Sequence, residues 1–414
     1  MLLRISRESG ESLKALNIKF DKLAQMMQKT SLDINYKPKI HELIDLDEIP
    51  EVNLINENWV KIKVKLGGIC GTDLHILALD FSKALTVFSS TPAILGHEIS
   101  GVITEIGSNV DNFSVGDRVV VEPILGCEVR EVEKCASCKD GNNNLCSNFD
   151  KGSIPPGMTT GTCKDIGGGW GEFLVAHKTQ IYKIPDSVSF EEAVIVEPLA
   201  TAIHGVSKKL PDDFDNCAVV GCGTIGLSTI IALKAFSNCN VIAIAKYPFQ
   251  LELAQKFGAD DVFLVKKDLH IKKIGKKIGA KVVTPMMEDA MLLEHGIDIV
   301  IDSAGNASSM SNAIRLIKYK GTIIMLGFPA FMEIDWGPLI AKEAQIIPSF
   351  EYSYDIINKE KQRSFQIASD LIESGRVNFK DFLTHKFPID DYQYALEVAS
   401  NKKEYNSVKT AFYF

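Results

Sequence analysis

No stretch of the 414-residue sequence approaches the length of a membrane-spanning helix, and the arginines near its start, in MLLRISRESGESLKAL, have no long apolar core behind them. Membrane insertion and export are therefore not expected, and the protein reads as cytoplasmic. Low-complexity segments, internal repeats and long runs of one charge are also missing. The formal charge of −8, from 53 acids and 45 bases, is dispersed along the chain. With no basic arm and no platform of interleaved aromatic and basic residues, neither a nucleic acid nor a membrane surface is an expected partner.

What remains is a chain too long for one ordinary core, so two domains are expected. Residues 12–28 place Leu13, Leu16, Phe20, Leu23 and Met27 at spacings of three and four, which predicts an amphipathic helix. From about residue 36 to 183, short apolar runs such as WVKIKVKL, GVITEIG, RVVVEP, GEFLVAH and QIYKIP are separated by glycines, as in a β-rich domain. SFEEAVIVEPLATAIHGVSKKL then reads as helix, and from Cys217 strands alternate with helices. That rhythm predicts a doubly wound parallel sheet, making the chain α/β overall. After about residue 350 strand and helix are mixed.

Within the alternating part, VVGCGTIG supplies Gly221, Gly223 and Gly226 in G-x-G-x-x-G spacing, with Thr224 and Ile225 opening an apolar helix. A strand before and a helix after are the context in which such a turn cradles a dinucleotide pyrophosphate. An NAD site usually ends the next strand with an acidic residue that bonds the ribose hydroxyls. Here Ala245 stands at that position, followed by Lys246 and Tyr247. The missing carboxylate and the added cation favour NADP over NAD.

Nine cysteines are present, and four fall between Cys127 and Cys146. Another, Cys70, sits in GGICGTDLH, just past a predicted strand end. Such clustering in a long chain points to metal ligands rather than disulfides. Cys70, His97 and Glu98 of GHE, and Glu197 of VEPLATAIH offer thiolate, imidazole and carboxylate, all normal zinc ligands. Asp73 fits either a ligand-orienting carboxylate or a turn cap. Cys163 reads as a buried thiol and His204 as a packing histidine.

GGICGTDLH, GHEISGVITEIG, VGDRVVVEP, GGWGEFLVAH, VEPLATAIH and VVGCGTIGLSTIIALKAF follow the order seen in the zinc-dependent medium-chain dehydrogenase/reductase superfamily, the alcohol dehydrogenase relatives, which the chain resembles over roughly residues 36–414. The resemblance implies an N-terminal extension at 1–35, a GroES-like catalytic domain at 36–198 that carries a zinc lobe at 123–150, and a Rossmann domain at 199–350. Residues 351–414 would complete the catalytic domain. It further implies that Cys70 and His97 bind catalytic zinc, with Glu98 as a ligand or its close neighbour. Glu197 stands where the classical alcohol dehydrogenases have a second cysteine, as in the threonine, polyol and glucose dehydrogenase branch, where this carboxylate binds zinc directly or through water.

By the same resemblance, Cys135, Cys138 and Cys146 match a structural zinc lobe whose usual first cysteine would fall at Val132. Cys127 replaces it if EVREVEK forms a larger loop. Thr72 would contact substrate and His75 would relay its proton. The implied protein is a homodimer or homotetramer with two zinc ions per chain, moving hydride between an alcohol or polyol and NADP or NAD. Alternatives are a zinc-independent quinone or enone reductase of the same fold, which usually lacks the cysteine lobe and the Cys, His, Glu set, and a non-catalytic cofactor-binding protein.

Overall fold

A seven-stranded sheet and a six-stranded sheet organise the chain. The computed structural model describes residues 13–18, 22, 25, 28, 29, 40–329, 331–357, 359–377 and 379–414. The long strand Trp59–Ile69 is the centre of the first sheet, flanked along one edge by Ile99–Ile106, Arg118–Val121 and Ile181–Lys183. Its first half pairs with Phe173–His177, and its last residues pair antiparallel with Lys409–Tyr413, beyond which lies Leu383–Pro388. The end of the chain thus returns to the strand that precedes Cys70.

Val60, Ile62, Val64 and Leu66 are buried as their alternation predicts, but the opposite face is not all solvated. Lys61 is only 5% exposed and is neutralised by Glu51 at 2.8 Å and Glu105 at 3.3 Å. The strand also runs further than the glycines suggest. Gly67 and Gly68 are ladder residues, and a side chain on Gly68 would occupy the space of the Glu98 carboxylate.

The second sheet is wholly parallel, in the order Asp261–Leu264, Asn240–Ala245, Asn216–Val220, Ile297–Asp302, Ile317–Met325 and Gln345–Pro348. Strand order reverses direction about Asn216–Val220, which creates a crevice at its carboxyl end. Alternate residues feed opposite layers. Cys217, Val219, Val241 and Ala243 pack with helices Val196–Ser207 and Thr224–Phe236, while Ala218, Val220, Ile242 and Ile244 pack with Leu269–Ile278 and Ala307–Leu316. Cys217, Cys222 and Cys239 are fully buried in this scheme.

The helix expected over 12–28 is wrong at its start. Leu13–Ile18 is a strand, paired antiparallel with Ile44–Ile49 and with Ala93–Ile94. Ala15, Leu16 and Ile18 are buried against Leu43, Ile94 and Trp170, so sheet pairing and tertiary packing override the helical spacing. Phe20, Leu23 and Met27 lie outside the described residues. Among the described residues, no helix is long and apolar enough to cross a membrane.

Candidate active site and metal centres

Cys70 caps the N-terminus of the short helix Gly71–Leu77, directly after the central strand. Asp73, one turn on, does both things its sequence position allowed. Its Oδ2 accepts the Cys70 backbone N–H at 2.9 Å, and its Oδ1 lies 3.6 Å from Nδ1 of His97. Ligand atoms of Cys70, His97 and Glu98 all lie within 4.8 Å of one another. Burial pulls the His97 pKa down, but the charges and hydrogen bonds of Asp73 and Cys70 prevail and hold it well above its ordinary value. A divalent cation satisfies the same anions without that proton, so the donor set fits zinc.

Glu98 is 1% exposed and forms an ion pair with Lys409, itself 1% exposed, whose ammonium also donates to the Ile69 carbonyl at 3.1 Å. Glu197 opens the helix Val196–Ser207 and is buried close by. Burial pushes its carboxyl up to about 7; Glu98 and Asp73 add repulsion, while His97 and Lys409 oppose it. Glu197 is not among the residues whose donor atoms converge with Cys70 and His97.

A cavity of about 400 Å³ opens beside this cluster, with Thr72, His75, Phe328, Phe350 and Glu351 in its walls. Thr72 joins cavity to cluster, its Oγ1 lying 3.7 Å from Cys70 Sγ. His75 is half exposed, with Nδ1 3.5 Å from Asp80. Glu351 is a residue that the sequence motifs miss. Burial pushes it up to about 8, with Glu197 and Glu122 adding to the shift and His97 opposing it.

Across the crevice, Gly221 takes φ +95°, which a side chain disfavours, and Gly226 packs against the Gly221 carbonyl. Thr224 ties the helix start to the Val408 carbonyl at 2.9 Å, and Ile225 packs on the core. Above Gly223 the space is open: Nζ of Lys402 is the nearest atom to the point where a Cβ would stand, 3.9 Å away. An open glycine turn at a helix N-terminus with an ammonium above it fits a pyrophosphate. Burial pushes Lys402 below its usual value, while Cys70 raises it. Ala245 is buried, Lys246 is exposed, and Tyr247 stacks on Phe249 with ring centroids 5.9 Å apart.

The four clustered cysteines form a second centre, their sulfurs within 4.8 Å of one another. Cys127 and Cys146 stand 3.5 Å apart. Backbone N–H of Cys135 and the side-chain amide of Asn148 donate to Cys127 Sγ, each at 3.3 Å, and Asn148 N–H donates to Cys146 Sγ at 3.4 Å. Such donors favour thiolates, which suit a tetrahedral zinc. The enlarged loop closes because Arg130, fully buried, donates to the carbonyls of Leu125, Lys151, Ile154, Pro155 and Gly157. Next to it Glu131 accepts from Asn56 and Asn58, both at 2.6 Å.

Other singled-out residues have structural partners. Cys163 is buried, with Sγ 3.3 Å from the Pro155 carbonyl. His204 Nδ1 bonds Asp355 at 2.7 Å in the core. Glu122, wholly buried, accepts from Tyr182 at 2.9 Å and from Arg363, which fastens the C-terminal part to the first sheet.

Two family models match the chain: the alcohol dehydrogenase GroES-like domain over residues 56–186 and the zinc-binding dehydrogenase domain over 224–374. Sorbitol dehydrogenase of Bacillus subtilis (strain 168) is 30% identical over 358 residues, covering 86% of this chain and 90% of its own. L-idonate 5-dehydrogenase of Vitis vinifera is 27% identical, with 85% and 87% covered. The crystal structure of 2R,3R-butanediol dehydrogenase from Bacillus subtilis superposes with a TM-score of 0.71 at 26% identity, over 97% of this chain and all of the other. With both family domains in sequence and the fold matching end to end, the chain belongs to the zinc-dependent medium-chain dehydrogenase/reductase superfamily, as an NAD(P)-dependent oxidoreductase.

Proposed function

We propose that this oxidoreductase moves hydride between an alcohol or polyol, or the matching carbonyl compound, and a nicotinamide, with NADP favoured. The observation that carries the reading is the junction at Thr72, which lines the cavity while its hydroxyl touches Cys70. Relatives named for sorbitol, L-idonate and butanediol support an alcohol or polyol as substrate. Cys70, His97 and Glu98 hold the catalytic zinc with Glu197 as a nearby carboxylate, and Cys127, Cys135, Cys138 and Cys146 hold a structural one, giving two per chain.

When bound, zinc supplies Lewis acidity that makes an alcohol hydroxyl acidic, and the nicotinamide accepts the hydride. The chain's own residues position and discharge the proton. Thr72 takes the substrate hydroxyl's hydrogen bond, and His75, reaching solvent from the same wall, passes the proton outward. Asp73 fixes both Cys70 and His97, and Lys409 compensates the buried charge of Glu98.

The catalytic domain comprises 36–198, including the lobe at 123–150, and 351–414, around a nucleotide domain at 199–350 and after an extension at 1–35. We place the enzyme in the cytoplasm as a homodimer or homotetramer. A screen of sugars, polyols, hydroxy acids and simple alcohols with both nicotinamides, followed by absorbance of the reduced ring, should show turnover of an alcohol or polyol. Failure with every member of those two classes would remove the reading.

Two lysines separate the roles of the cofactor site. Lys402, over the glycine turn, meets phosphates that NADH and NADPH share, so Lys402→Ala should weaken both by about tenfold, the loss of one charge-assisted hydrogen bond. Lys246, beside the uncharged strand end at Ala245, meets only the extra phosphate. Its alanine variant should weaken NADPH about tenfold and leave NADH nearly unchanged. Titration of nicotinamide fluorescence measures both, and an equal loss of the two cofactors in Lys246→Ala would overturn the NADP preference.

A further inference from the structure

Glu351 combines three features that the reaction chemistry does not use. It lies three residues beyond Gln345–Pro348, past the carboxyl end of a parallel strand, where open α/β sheets receive ligands. Its backbone φ of +49° is in the left-handed region, which a glutamate adopts only when its surroundings hold it there. The residue, half-buried, lines the cavity; its Oε2 is closed off from solvent without a hydrogen bond, and no hydrogen bond or ion pair reaches its Oε1 among the described residues. A carboxylate with one oxygen shut away from every donor is costly, which leaves Oε1 as the oxygen to which a ligand in the cavity can supply a donor.

The remaining walls narrow what that ligand can be. Thr72 adds a hydroxyl and Asp80 a second carboxylate to walls that are otherwise largely apolar, with Ile76, Phe81, Leu85 and Phe328 among them, and no lysine or arginine among the described residues lines the cavity. Away from the metal site, a carboxylate or phosphate on the substrate would meet Glu351 and Asp80 with no lysine or arginine in the walls to offset them. A neutral diol or short polyol finds acceptors in Thr72, Asp80 and Glu351 and apolar walls for its carbons. We propose that Glu351 sets specificity by accepting a hydrogen bond from a second hydroxyl of a neutral diol or polyol, and that it excludes acidic substrates. The proposal rests on the alcohol or polyol reading above, and it names which members of that class the site selects.

The test uses zinc-loaded protein with bound NADPH at pH 9, where Glu351, raised to about 8 by burial, is ionised, and the fluorescence of the reduced ring reports binding without requiring turnover. Butane-2,3-diol, butan-2-ol and 3-hydroxybutyrate serve as probes. Wild-type protein should bind the diol about tenfold or more tightly than butan-2-ol, with 3-hydroxybutyrate weakest, as one charge-assisted hydrogen bond implies. Glu351→Leu should bring the diol to within about threefold of butan-2-ol and relieve the exclusion of 3-hydroxybutyrate. Glu351→Gln, which keeps an acceptor oxygen, should recover part of the diol preference.

Thermal stability of Glu351→Leu should be unchanged or higher, because a carboxylate oxygen shut away without a donor has been removed. An unaltered ratio of diol to butan-2-ol in Glu351→Leu would overturn the proposal, as would an equal loss of both alcohols. Tighter binding of 3-aminobutan-2-ol than of the diol by wild type would also overturn it, in favour of an ammonium. If the diol preference is found while no alcohol is oxidised, the specificity role stands and the catalytic reading fails.

Discussion

Cys70→Ser should lower turnover by about a thousandfold or more and remove one metal equivalent per chain, leaving the other in place. A serine hydroxyl is a poor zinc ligand at neutral pH, and the several kcal/mol of Lewis-acid stabilisation depend on the ion staying bound. The surroundings should survive. Asp73 takes its hydrogen bond from the Cys70 backbone, not from the thiol, so the start of helix Gly71–Leu77 is retained. Glu98 likewise keeps Lys409. Elemental analysis, the rate of ring reduction and a thermal melt together separate metal loss from unfolding. Full turnover in a protein that has lost one metal would refute zinc participation.

The parts of this site legible in sequence are those carried by short contiguous motifs. The glycine turn announces itself because its mechanism needs a positive φ at Gly221, an open Gly223 and close packing at Gly226 within six residues. Cys70 is conspicuous for its polar neighbours, and His97 and Glu98 are adjacent. Glu197 has a weaker signal, which lets its residue type be named but not its distance from the cluster. The four lobe cysteines could be counted, yet nothing in EVREVEK foretold that Arg130 would turn inward and gather five carbonyls.

Lys402, Lys409 and Glu351 were missed because each is single and far along the chain from its partners. Only the pairing of Lys409–Tyr413 with the end of the central strand brings Lys409 to Glu98. One clue existed: Lys409 interrupts the apolar run toward Phe412, and a lysine in a buried strand requires a buried acceptor. The N-terminal strand failed for the opposite reason. Leu13 and Leu16 satisfied a helical period by coincidence, while the partner that decides the matter, Ile44–Ile49, lies beyond any local window.

Cys135→Ser should remove the second metal and lower the melting temperature by roughly 10 °C, since a structural zinc contributes directly to folding energy and the lobe has little apolar core of its own. Its effect should not stop at the lobe. Asn144 donates to the Phe350 carbonyl at 2.6 Å, Asn143 N–H donates to Ser353 at 3.2 Å, and Ser353 in turn donates to the Gly141 carbonyl. These bonds hold the segment on either side of Glu351. Loosening the lobe should therefore raise KM for the substrate several-fold, while nicotinamide affinity, fixed at the distant glycine turn, stays the same. An inert lobe predicts the opposite pattern: an unchanged metal count, an unchanged melt and an unchanged KM in the serine variant. Comparing Cys135→Ser with Cys70→Ser then assigns each metal to its centre, because the first should spare kcat and the second should spare the melt.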